Sequence, residues 1–168
     1  HLRLNLAVFS GEDAGETPYE DIGEEAGIDN RRVIKTFITI AMGASTESAA
    51  EKACRTEHID RKSFELLKTA TLRRYPSVLL FKGFGIHAQS LEGQILKDVM
   101  LAGVTAGKVV LPVHDAVAVV QEDAEWAQNK MLEAWARHAN SEGGTARARL
   151  KIDLPDGSEK NSFKEPSN

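Results

Sequence analysis

The chain has 168 residues, 42% of them hydrophobic, with 21 Lys and Arg against 25 Asp and Glu and a net charge of −4. That is enough apolar material for one ordinary core and too much for a disordered chain, and the acidic balance means that any polyanion contact must come from local basic clusters. The single cysteine, Cys54, excludes an intramolecular disulfide and a cysteine-based zinc site and fits a cytoplasmic location, while no run approaches the roughly 20 apolar residues that span a bilayer.

In chain order, residues 2–9 (LRLNLAVF) form an apolar stretch with two polar interruptions that stops at Ser10-Gly11, the pattern of a helix end. Pro18 opens a short helix that Gly27 closes, and Asp29-Asn30 can cap a helix over RRVIKTFITIAMGA, with Val33, Phe37, Ile40 and Ala44 as its apolar stripe. Two or three helices are expected over 46–84, the last starting at Pro76. From Ala88 to Ala106 a long helix carries Leu91, Ile95, Val99 and Ala102 on one face and ends at Gly107.

The period then changes. VVLPVHDAVAVV, residues 109–120, places two β-branched runs around His114-Asp115, which predicts a hairpin with that pair at its turn and Pro112 on an edge strand. Asp123 can cap a helix over 124–139 with Trp126, Met131, Leu132 and Trp135 as its stripe; 141–145 is a turn, and ARLKIDL can return as a strand. The fold class expected is α+β, mostly helical with a small antiparallel sheet built around the hairpin.

A hairpin tip is a rigid place for a carboxylate, and magnesium takes oxygen ligands, commonly one or two protein carboxylates completed by phosphate and water. A lone His-Asp is also ordinary turn chemistry, and Arg31-Arg32 with Lys35 is also what a solvated helix start looks like. On the long helix, which also carries Asp98, Glu92 reads as solvated. His58, His87 and His138 have no zinc spacing.

The stretch LEGQILKDVMLAGVTAGKVVLPVHDAVAVV, preceded by Gln89, resembles the C-terminal palm of family A DNA polymerases and, more loosely, of single-subunit RNA polymerases. There, a helix bearing a glutamine leads into a hairpin bearing His-Asp. The resemblance assigns Asp115 to metal binding, with two Mg2+ ions, and His114 and Gln89 to the primer terminus or template. Ala116 stands where the DNA polymerases commonly carry Glu. Arg31 and Lys35 match the spacing of the triphosphate-binding cations on the fingers helix, although Gly43-Ala44 replaces the Tyr-Gly pair that follows there.

The opening His1-Leu2-Arg3 is similar to the end of the D-Y-S-x-x-E-L-R segment, so the partner aspartate of Asp115 is expected about five residues upstream, with His1 near the incoming sugar. On this resemblance the chain is the fingers-like (about 18–84) and palm-like (about 85–154) part of a phage- or plasmid-type DNA polymerase. It would act on a DNA template and primer with nucleoside triphosphates, it would be inactive alone, and residues 155–168 would be a disordered polar tail. Two other classes stay open: a non-catalytic nucleic-acid-binding module of a replication or mobile-element protein, and an oligomerisation domain using the Trp126/Trp135 helix.

Overall fold

A computed structural model of the chain describes residues 2–139 and 148–163. The fold is α+β: seven α-helices and two separate two-stranded antiparallel sheets among the described residues. The helices are α1 (Leu2–Ser10), α2 (Pro18–Ala26), α3 (Arg31–Gly43), α4 (Glu47–Thr56), α5 (Arg61–Arg74), α6 (Phe84–Ala106) and α7 (Ala124–Ala139); the strands are β1 (Leu111–Val113), β2 (Ala116–Ala118), β3 (Arg149–Asp153) and β4 (Glu159–Phe163). No helix among them is long and apolar enough to cross a membrane.

Local chemistry sets the helix ends. Pro18 occupies the first turn of α2, where a missing N–H costs nothing, and Gly27 stops the helix in the left-handed region at φ 67°. Asn30 caps α3 by accepting from the N–H groups of Arg32 and Val33 at 3.1 and 3.3 Å. Asp60 caps α5 in the same way from Ser63 at 2.7 Å.

The first core gathers α1 to α5 around Phe37 and Phe64, whose rings meet edge to face at 5.4 Å, both fully buried. The buried face of α3 is Ile34, Phe37, Ile38, Ala41 and Met42, one position round from the expected stripe, and Val33 and Ile40 only flank it. The reason is that α3 packs against α2, α4, α5 and α6 at once, so its contact surface is wider than a single stripe. Cys54 belongs to this core, and burial together with Glu57 pushes its thiol up to about 11.

Three expectations are corrected. Pro76 starts no helix: residues 75–83 run as turns and extended chain, because long-range bonds claim their backbone. Asn5, fully buried in α1, donates to the Leu79 carbonyl at 3.2 Å and accepts from the Leu79 N–H at 2.9 Å, and the Phe81 N–H donates to Ala41. The long helix α6 accordingly begins at Phe84, after Gly83 at φ 69°. The supposed tail is no tail through residue 163: the chain turns at 154–158, with Leu154 and Ser158 bonded at 2.9 Å, and β4 pairs with β3 from Arg149↔Phe163 to Asp153↔Glu159.

The second half is built on α6 and α7, which pack along their length. Trp126 and Trp135 are half-buried here: Trp135 packs beside Leu4, Ala88 and Leu91, and Trp126 lies beneath the Lys108 ammonium at 5.6 Å. Asp98 of α6 clasps α7, accepting from His138 Nε2 at 2.8 Å and from Arg137 Nη1 at 2.6 Å. The His138 bond, followed by the positive charges, holds the Asp98 carboxyl below its ordinary 3.8. A depressed folded pKa means that the stabilisation is complete above that ordinary value and is lost as pH falls through the folded one. Asp98→Asn should therefore lower Tm at mildly acidic pH, and the gap between the two proteins should close in melts below about pH 4.

Candidate functional site

The segment 109–120 is a hairpin with His114-Asp115 as its two-residue turn, in the register Leu111↔Ala118, Pro112↔Val117, Val113↔Ala116. Pro112 sits in a strand with one neighbour, where its missing N–H breaks no second ladder. His114 takes φ 55°, a left-handed conformation that costs a non-glycine residue energy and persists only where the surroundings hold it. Both turn side chains are exposed, and Asp115 forms no ion pair among the described residues.

The hairpin does not stand free. Val110 and Val117 pack on Ile95 and Val99 of α6 and on Ala134 and Met131 of α7. Val110 also seats over Gly103, where an added Cβ would lie 2.5 Å from Val110 Cγ2 and 3.2 Å from the Lys108 carbonyl. Lys108 reaches across to bind the carboxylate of Asp123, which closes a single 3-10 turn (Gln121–Asp123) before α7. Gly103→Ala should cost about 1–3 kcal/mol by overpacking, and amide exchange should quicken over residues 109–120 while α3 keeps its protection.

This seating lays the hairpin along α6. Burial raises the Glu92 carboxyl above its ordinary range, and the charge of Asp115 adds a smaller push in the same direction. Glu92 is half-buried and not the solvated residue its sequence suggests. Glu92 follows Gln89 by three residues, which puts the two on neighbouring turns of one helix face. Gln89 itself is exposed.

A groove of about 790 Å3 opens beside Asp115, walled by Val117 of the hairpin, Ala127 and Met131 of α7, and Leu150 and Ile152 of β3. An oxygen-seeking cation would meet the exposed carboxylate of Asp115 at the tip. Among the described residues no group of three or more His, Cys, Asp or Glu forms a cage. That donor set suits magnesium, which dehydrates reluctantly and takes its remaining ligands from phosphate and water.

The basic residues lie elsewhere. Arg31 pairs with Glu20 at 2.6 Å and lies over the Tyr19 ring at 5.3 Å, whereas Lys35 is exposed with no ion pair among the described residues. They stand on the first turns of α3, and α3 meets α6 at its other end, where a Cβ on Gly85 would lie 3.2 Å from the Gly43 Cα. Lys35 is thus two turns back along α3 from that crossing, about 12 Å, and Glu92 about 10 Å along α6 from it. The fold joins the two helices without bringing Lys35 or Arg31 into contact with Asp115. Arg73 and Arg74 are held by Glu25 at 2.6 Å and Asp21 at 3.3 Å, which makes them part of the α2–α5 packing. His1 lies outside the described residues, as does the expected turn at 141–145. Compared with protein-family models, curated proteins and solved structures, the chain matches none.

Proposed function

We propose that these residues belong to a template-directed nucleotidyltransferase of the DNA polymerase type, acting on a primer–template and nucleoside triphosphates. The observation that carries the proposal is the stiff hairpin that presents the exposed Asp115 carboxylate at its turn while packing on α6, the helix that carries Gln89. The positive φ at His114 is what a two-residue hairpin turn requires, so the feature that supports the reading is the exposed Asp115 carboxylate at the apex.

Asp115 holds the divalent ion on this proposal, and the ion when bound supplies positive charge to the phosphate under attack. Lys35 and Arg31 hold the triphosphate, at the start of a helix whose N–H groups add to the attraction. Arg31 must leave Glu20 to do so, but an exposed ion pair of this kind is worth only about 0–1 kcal/mol, so the exchange is easily made. Gln89 and His114 orient the primer terminus or the template backbone. The primer 3′-oxygen attacks the α-phosphorus in line as the bond to the bridging oxygen breaks and pyrophosphate departs, and the protein contributes positioning and charge.

The test uses the full gene product that contains these residues, a labelled primer–template, all four nucleotides and magnesium. A ladder of extended primers that disappears with a chelator is expected. A folded gene product that binds the primer–template with a salt slope and adds nothing would favour the binding-module reading instead.

A further inference from the structure

We infer that Phe9 and His87 form a stacking platform for an unpaired base of single-stranded DNA, with Lys82 supplying charge for its phosphate. The inference rests on the proposed function for the identity of that strand, the template, but the ring chemistry stands apart from any reaction. Phe84, in the first turn of α6, is the buried floor of the platform. The Phe9 ring, from the last turn of α1, meets it edge to face with centroids 5.3 Å apart, and the His87 ring meets it edge to face at 5.6 Å. The centroids of the two outer rings are 6.5 Å apart. Phe9 is nonetheless 47% exposed, His87 is exposed, and Ile86 beside it in the chain is 82% exposed.

Packing explains one side of these rings and not the other. Contact with Phe84 fixes how Phe9 and His87 lie while leaving them open to solvent, so little ordering is left for a ligand to impose. Such a surface would suit a base or an apolar protein segment alike, and charge favours the base. In a chain of net charge −4, no Asp or Glu stands in residues 1–11 or 66–91, the segments that carry all three rings. The acid nearest to Phe9 in sequence, Glu12, is engaged by the Ser77 hydroxyl at 3.1 Å. Lys82, two residues before Phe84, is exposed and forms no ion pair among the described residues. An acid-free aromatic surface with an unpaired cation close by in the chain complements a polyanion whose units each offer a flat apolar face. Because every base has such a face, the platform should bind with little preference for sequence.

The probe is a fluorescein-labelled single-stranded DNA of mixed sequence, set beside an abasic strand of the same length, each titrated with the 168-residue chain at low salt and read by anisotropy. The base-bearing strand should bind roughly 10-fold tighter than the abasic one. Phe9→Leu keeps bulk against Phe84 but has no ring, and it should weaken binding of the base-bearing strand about 10-fold, as should His87→Ala at an exposed position, while Phe9→Tyr binds like the parent. Lys82→Gln should weaken both strands alike and reduce the salt slope by about 0.7. A parent chain that binds neither strand, or both equally, overturns the inference, as does parent-like binding by Phe9→Leu and His87→Ala. Self-association of the chain that Phe9→Leu abolishes, without any binding of the strand, would also overturn it and assign the patch to a protein contact. Base-dependent binding lost in both variants, beside a full gene product that extends no primer, would keep the platform and discard the polymerase; primer extension by a protein that shows no base-dependent binding would do the reverse.

Discussion

Asp115→Asn in the full gene product should lower nucleotide incorporation by on the order of 10³-fold while changing primer–template affinity less than about twofold. The magnitude follows from what the amide removes. Asn keeps the size and the exposed place at the turn, so the hairpin, its packing on α6 and the surface offered to nucleic acid are unaltered. What disappears is one negative charge at the cation, and charge stabilisation at the reacting phosphate is worth several kcal/mol, with each 1.36 kcal/mol a factor of about ten. Single-turnover incorporation, set beside anisotropy binding of the same primer–template, separates the two effects. Equal loss of binding and rate would mean that the substitution had disturbed the fold or that Asp115 serves binding alone.

The second large effect is on stability. Asn5→Ala should cost about 3 kcal/mol, near 8 °C in Tm for a chain of this size. Asn5 is fully buried and meets the main chain of Leu79 twice, as donor and as acceptor, 74 residues away. Alanine leaves both backbone groups without their partner inside the protein, and an orphaned buried group costs about 1–3 kcal/mol. The consequence is directional. The Leu79 segment feeds directly into α6, so native-state amide exchange at Leu79 and in the first turns of α6 should accelerate before α3 or α5 responds. A variant melting within a degree or two of the parent would show that water replaces the side chain there.

What the sequence made legible was what local chemistry decides. The hairpin was readable because the apolar period shifts from helical to alternating at Lys108 and because a polar pair interrupts two β-branched runs. The ends of α2 and α3 were readable because Pro18, Gly27 and Asn30 each do one thing well. Distant contacts were not. Asn5 looks like a flaw in an apolar run, and only the Leu79 backbone gives it a purpose. Pro76 looks like a helix start, but the segment after it is spoken for by Asn5 and Ala41. The run from Pro155 was read as a disordered tail because EKNSF lacks the apolar alternation that announces a strand, and its pairing with β3 comes from backbone hydrogen bonding.

Of the candidate site, the turn position of His114 and Asp115 was readable in the sequence, and Gln89 lies exposed on α6. Glu92 was read as solvated because nothing local distinguishes a half-buried carboxylate on a helix from a solvated one. Lys35 and Arg31 remain apart from Asp115, separated by the crossing at Gly43 and Gly85.

The most direct test offers the full gene product a primer ending opposite one defined template base, with magnesium and each of the four nucleotides in turn. The account predicts that the complementary nucleotide is added and the other three are strongly disfavoured, for each identity of the template base. A folded gene product that adds none of them, or adds all four alike whatever the template, would contradict it.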